Sequence, residues 1–212
     1  MKMNILENPF CVLGVSSRDN RRRISEAAEE KSFLGDSESV REAQNVLTIP
    51  GRRLTAEIRW FPGMDNEYIR GIIEYFHRLE AGKNPGRINS SGVRSLALLN
   101  LAVSVFSFRK FRDASAIKED ILLICRCFDA VSTEGVCAVI NNDRLIAGFP
   151  QANENDVVRE LNDYRADILG MIDGKLSALT QNEYSGLAVR LASKYSEGDG
   201  KSFLLGGYSF VL

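Results

Sequence analysis

Four turn signals divide the chain: "IPG" at Pro50 and Gly51, "FPGMD" from Pro62, "GKNPG" from Gly82 and "GFPQANEND" from Gly148. Between them apolar residues recur every three or four positions, the spacing that lines one face of an α-helix. The chain therefore reads as all-α. Helices are expected over 19–34, from Ser39 onward, and over 66–80, 92–106, 115–131, 133–145, 155–179 and 183–195. Ser16 or Ser17 suits the cap of the first, with Ile24, Ala27, Ala28 and Lys31 on one face. Ser39 suits the next, whose stripe is Val40, Ala43, Val46 and Leu47. The longest is amphipathic through Val157, Val158, Leu161, Tyr164, Ile168, Ile172, Leu176 and Leu179.

After Pro62 and Gly63 the pattern changes from short helices to longer ones, which sets an expected boundary there. The expected units are a short-helix module at 1–63, a helical bundle domain at 64–197 and a Gly-rich tail at 198–212. That tail carries Gly198, Gly200, Gly206 and Gly207 and ends on Phe210, Val211 and Leu212, an apolar end expected to pack on its own domain.

With 44% apolar and 26% charged residues over 212 positions, the chain has the makings of an ordinary core. Its net charge of -1 gives no overall field for nucleic acid, a membrane surface or an acidic ligand, so an electrostatic partner must be met by a local patch. The start "MKMNILENPF" has no charged region leading into an apolar run, and "SLALLNLAVSVFSF" is too short and too interrupted by Asn and Ser to span a bilayer. A cytoplasmic location is expected, with Cys11, Cys125, Cys127 and Cys137 as reduced thiols.

Chemistry-bearing patterns are scarce. The single histidine, His77 in "IIEYFHRLE", sits four residues after Ile73 and beside Phe76, at the edge of a packing face. "CRCFDAVSTEGVC" has no CxxC pair, and Cys125 and Cys127 point to different sides of a helix. Phosphate-loop, dinucleotide, nucleophile-elbow and zinc-protease signatures are all missing. No catalytic residue, metal site or cofactor is therefore expected, and the chain reads as non-enzymatic. One alternative places a small-ligand site or active site around Tyr75, His77, Asn141, Asn142, Asp143 and Arg144, although "NNDR" reads more simply as a helix-end cap and surface loop. Basic clusters remain. "RDNRRR" places Arg18, Arg21, Arg22 and Arg23 on the first turns of a helix, and "GRRLTAEIRW" adds Arg52, Arg53 and Arg59. The acidic "EAAEE" one turn later suits helical ion pairs, and the functional alternative is a docking patch for an acidic protein surface.

The opening resembles a J-domain, the module by which co-chaperones engage Hsp70. "NPFCVLGVS" supplies its first element through Phe10, Leu13, Gly14 and Val15, "NRRRISEAAEEKSFL" its second helix, and "AQNVLTIPGRRLTAEIRW" its third. In the third, Ala43, Val46, Leu47, Pro50 and Arg53 fall in register. The match runs from Asn8 to Trp60 and implies a J-domain-like three-helix module. Where the family carries His-Pro-Asp, this chain has Gly35, Asp36, Ser37 and Glu38, which implies that stimulation of the Hsp70 ATPase is lost. Family members dock Hsp70 through positive residues of the second helix, and Arg21, Arg22 and Arg23 stand at its start.

"RLTAEIRWFPG", "LNLAV" and "INNDRLIAGFP" are similar to pieces of a bacterial group that joins such a start to an all-helical region, with no activity to carry over. The expectation is a protein-interaction adaptor that binds a protein partner or packs as a homo-oligomer. The alternative is an Hsp70-type chaperone bound without being stimulated.

Overall fold

The computed structural model describes residues 4–33, 37–86, 88, 90, 92–109, 114–177, 179, 185–186 and 193. Among them every regular element is helical, so the protein is all-α. A single 3-10 turn at Ile5–Glu7 precedes α1 (Pro9–Leu13), α2 (Arg21–Ser32), α3 (Ser37–Thr48), α4 (Pro50–Ile58) and α5 (Asn66–Glu80). Then come α6 (Ser95–Phe108), α7 (Ala114–Asp129), α8 (Thr133–Ala147) and α9 (Glu154–Leu176). The helix expected over 183–195 lies, but for isolated residues, outside the described residues, as does the tail at 198–212.

Asn8 explains the "NPF" start. Its Oδ1 accepts the N–H of Phe10 at 3.0 Å, and Pro9 takes the first helical turn, where its missing N–H goes unneeded. The Nδ2 of the same side chain donates to the carbonyls of Ala56 at 3.1 Å and Arg59 at 3.0 Å, closing the far end of α4. One buried amide thus starts one helix and ends another.

Asn20, rather than Ser16 or Ser17, caps α2: its Oδ1 accepts the N–H of Arg23 at 2.9 Å. Ser17 is spent on Asp143 instead, at 2.5 Å. Gln44 of α3 donates to Ser25 of α2 at 3.3 Å, which pairs the end of one helix with the start of the other in an antiparallel hairpin. Ile24, Ala27 and Ala28 meet Val40, Ala43 and Leu47 in its buried seam with Phe10 and Leu13, whereas Lys31 is exposed.

The stretch matched to one family helix is two here. Pro50 removes a backbone donor and forces Ile49 into extended geometry (φ -94°, ψ 114°), so α3 ends and α4 restarts. Helix α4 is enclosed on several sides, with Arg53, Leu54, Ala56, Glu57 and Ile58 all buried.

Helix α6 runs through the middle of the molecule. Ala97 and Leu101 join one apolar cluster, and Leu96, Leu99, Ala102, Val103 and Phe106 join the other. The first cluster reaches from Ile5 to Phe149 and the second from Leu54 to Ile172, so each draws residues from both sides of Gly63. On α9 the inward stripe is Val157, Leu161, Tyr164, Ile168 and Ile172, while Val158, expected on it, is 40% exposed. No described helix is long and apolar enough to cross a membrane.

The polar residues that interrupt α6 are buried. Asn100 donates to the carbonyls of Ile58, at 2.8 Å, and Trp60, and accepts the Tyr164 hydroxyl at 2.6 Å. Burial pushes the Tyr164 phenol well above its ordinary value, so it remains a donor. Asn100→Leu conserves bulk but leaves two carbonyls and a hydroxyl unmet in the core. It is expected to lower the urea-unfolding free energy by about 3 kcal/mol. A loss below about 1 kcal/mol would remove Asn100 as a structural tie.

Candidate functional site

Glu57 stands at the centre of a buried ionic cluster. Its Oε1 accepts Arg53 Nε at 2.7 Å, and its Oε2 accepts Arg144 Nε at 2.9 Å and lies 2.8 Å from the Nη2 of the same arginine. Arg53, Glu57 and Arg144 are 0%, 1% and 2% exposed. Two guanidinium groups on one carboxylate leave an excess positive charge, and the surroundings disperse it. Arg53 donates its remaining N–H groups to the carbonyls of Leu47 at 3.2 Å and Ser17 at 2.7 Å, and its guanidinium lies 4.0 Å over the Phe149 ring. Arg144 donates to the carbonyls of Pro150 at 3.1 Å and Pro50 at 2.9 Å. Burial pushes the Glu57 carboxyl above its ordinary value and the Arg53 guanidinium below its own, and their contacts oppose both shifts. With its oxygens held by guanidinium N–H groups, Glu57 is a structural anion in shape and surroundings.

Asp143 forms a second knot one residue away. Fully buried, it accepts Ser17 Oγ at 2.5 Å and the Gly63 N–H at 2.7 Å on Oδ2, and Arg18 Nε at 2.8 Å on Oδ1. Gly63 has a φ of 73°, and a Cβ there would stand 2.8 Å from Val139 Cγ1. The "FPG" turn therefore fits α8 only with glycine. "NNDR" differs from its expected place at a helix end and surface loop: Asp143 and Arg144 are core residues, and Asn141 both donates to and accepts from the Ala152 backbone, at 3.0 and 2.8 Å. The sequence pattern of a polar quartet matched a surface group, because nothing local reveals that α8 is covered on that side.

The basic cluster of α2 is split by the fold. Arg18 belongs to the Asp143 knot, with its side chain 40% exposed. Arg21 places its guanidinium 5.1 Å over Phe149. Arg22 pairs with Glu26 at 2.8 Å, and Arg23 with Glu30 at 3.2 Å and Glu26 at 4.0 Å, in the helical ion pairs expected of "RRR" followed by "EAAEE". Arg21, Arg22 and Arg23 remain exposed at the start of α2. Of the four residues expected to form a loop in place of the family tripeptide, Ser37 and Glu38 instead open helix α3 and are exposed, whereas Gly35 and Asp36 lie outside the described residues.

The other candidates do not converge. His77 is exposed on α5, and Tyr75 packs edge-on against Phe76 at 5.3 Å. Among the described residues no hydrogen bond, ion pair or ring contact joins either to Asn141–Arg144. Cys125 and Cys127 are both buried in the same apolar cluster although two residues apart, because α7 is covered on more than one side. Burial pushes the Cys125 thiol up to about 12, far from thiolate reactivity. No group of three His, Cys, Asp or Glu among the described residues could hold a metal ion.

The Arg53–Glu57–Arg144 cluster escaped the sequence reading, since Arg53 and Glu57 at an i,i+4 spacing look like an exposed helical pair. The available signal was that Trp60 follows on the same stripe. Comparison with protein-family models, with curated proteins and with solved structures found no match.

Glu57→Gln, which leaves two buried guanidinium groups short of their counter-charge, is expected to cost about 3 kcal/mol in urea unfolding. Gly63→Ala is expected to cost about 2 kcal/mol through the left-handed backbone and the Val139 contact. Arg22→Ala, at an exposed pair, should leave the unfolding midpoint unchanged within error. Equal effects for Glu57→Gln and Arg22→Ala would contradict the buried-cluster account.

Proposed function

We propose that the protein is a non-enzymatic interaction module: a J-domain-like start without the Hsp70-stimulating tripeptide, carried on a helical body, that docks an acidic protein surface through α2. The observation that carries this is the solvated row Arg21, Arg22 and Arg23 at the first turn of a helix whose base is clamped to Asp143 through Arg18. A rigid helix presenting charges at its start holds them in place before a partner arrives, so little ordering remains to be done on binding. Their ion pairs with Glu26 and Glu30 are exposed and exchangeable, hence they do not hide the row from a stronger acidic partner.

The antiparallel hairpin of α2 and α3, with Phe10 and Leu13 of α1 in its seam, supports the J-like part of this reading. A second reading is favoured by the same arginines: the partner is an Hsp70-type chaperone, bound as by an adaptor or competitor and left unstimulated.

The triple variant R21E/R22E/R23E separates the outcomes. Affinity purification with mass spectrometry is expected to recover a partner set with the wild type that is lost with the variant. The affinity of any purified partner should fall by at least about tenfold. Identical partner sets would remove the α2 row as a docking surface. If an Hsp70-type chaperone is among the partners, its ATPase rate is expected to stay at the basal value, and stimulation would overturn the missing-tripeptide account.

A further inference from the structure

A groove of about 240 Å³ lies between α1, the segment after it, Trp60 and α5. Taking about 30 Å³ as the share of one water, it has the volume of about eight waters, and it falls just under the ~300 Å³ at which drug-sized pockets begin. It is sized for a small metabolite. Phe10, Trp60, Ile69 and Ile73 supply apolar lining.

The polar lining carries unused capacity. Trp60 is 2% exposed, yet its indole Nε1 has no hydrogen-bond partner among the described residues. That atom has no accessible surface, so Trp60 serves the groove as apolar wall. Arg70 and Asp19 line the same groove, and neither makes an ion pair among the described residues, with each other or with anything else. Asp19 uses one oxygen to accept the Ser16 N–H at 2.7 Å, and the other is open. Arg53, whose charge also reaches Asp19, is already committed to Glu57 and two carbonyls. Cys11, also in the lining, has its thiol pushed up to about 11 by burial and so meets a ligand as a neutral S–H.

We propose that this groove binds a free apolar α-amino acid. The ligand carboxylate is held by the Arg70 guanidinium, the ammonium by the Asp19 carboxylate, and the side chain by the aromatic and aliphatic wall. One positive and one negative group beside an apolar surface match a zwitterion better than a simple acid or amine, either of which would leave one of the two charges without a partner. The groove is formed without Arg21, Arg22 or Arg23, so the proposal stands or falls apart from the docking reading of α2.

Trp60 is the chain's single tryptophan, which makes its emission a direct readout. The full chain is titrated with leucine, methionine and phenylalanine to about 10 mM, followed by Trp60 emission and by calorimetry. Saturable binding to at least one is expected, with a Kd of about 0.1–1 mM, ordinary for a ligand of this size. Leucinamide and N-acetylleucine, each lacking one charge, should bind at least about tenfold more weakly. Arg70→Gln and Asp19→Asn should each weaken binding by the same factor with unchanged far-UV circular dichroism. Arg70 is exposed, and the carboxamide that replaces the Asp19 carboxylate can still accept the Ser16 N–H. Absence of saturable binding to all three amino acids by both readouts would overturn the proposal. So would blocked derivatives that bind as tightly, or an Arg70→Gln variant with unaltered affinity.

Discussion

The packing of this protein turns on one carboxylate. Glu57 joins Arg53 of its own helix to Arg144 of α8, and through the free N–H groups of those arginines it reaches the carbonyls of Ser17, Leu47, Pro50 and Pro150. Three chain segments distant in sequence, around Ser17, Leu47–Glu57 and Arg144–Pro150, are thereby fixed around one buried charge. Such a cluster gains little net energy over a well-packed apolar core, because desolvating the ions offsets most of their attraction. It confers direction: guanidinium N–H groups demand acceptors at set angles, and only one arrangement of α3, α4 and α8 supplies them.

Asparagines extend the same logic to neutral groups. Asn8, Asn100 and Asn141 each use a side-chain amide to satisfy backbone groups that a helix end or a turn leaves open. Asn8 and Asn100 both converge on the end of α4, from opposite parts of the chain. Helix α4 is short, and its termini are where a buried helix exposes unmet carbonyls. Its burial is tolerable because side chains from α1 and α6 meet those carbonyls, and Trp60 and Phe61 then carry the chain into the shared core.

The outer surface is free of these demands, which is where a binding role belongs. The α2 arginines can exchange partners because water surrounds them, whereas Arg53 and Arg144 cannot. Both proposed interactions use the same division. The docking row sits on a helix held from beneath by Asp143, and the α1–α5 groove is walled by Phe10 and Trp60, stacked at 5.7 Å.

Much of the helical content was legible in the sequence. The period of apolar residues placed α5 at its observed limits and α7, α8 and α9 within a few residues, since a single buried stripe is a local property of a helix. Periodicity placed α6, expected over 92–106 and observed at Ser95–Phe108, equally well, but carries less for α4, which is enclosed by neighbours on several sides and has no single solvent face. Pro50 marked the break between α3 and α4. The candidate site was harder to see. Arg53, Glu57, Asp143 and Arg144 have the composition of a surface, and Trp60, Asp19 and Arg70 are separated by up to fifty-one positions. The sequence by itself determined where most helices form and which of their faces are apolar, because those depend on neighbours in the chain. Only the tertiary structure decided which charges are buried and which remain free, because burial depends on what a distant segment places over them.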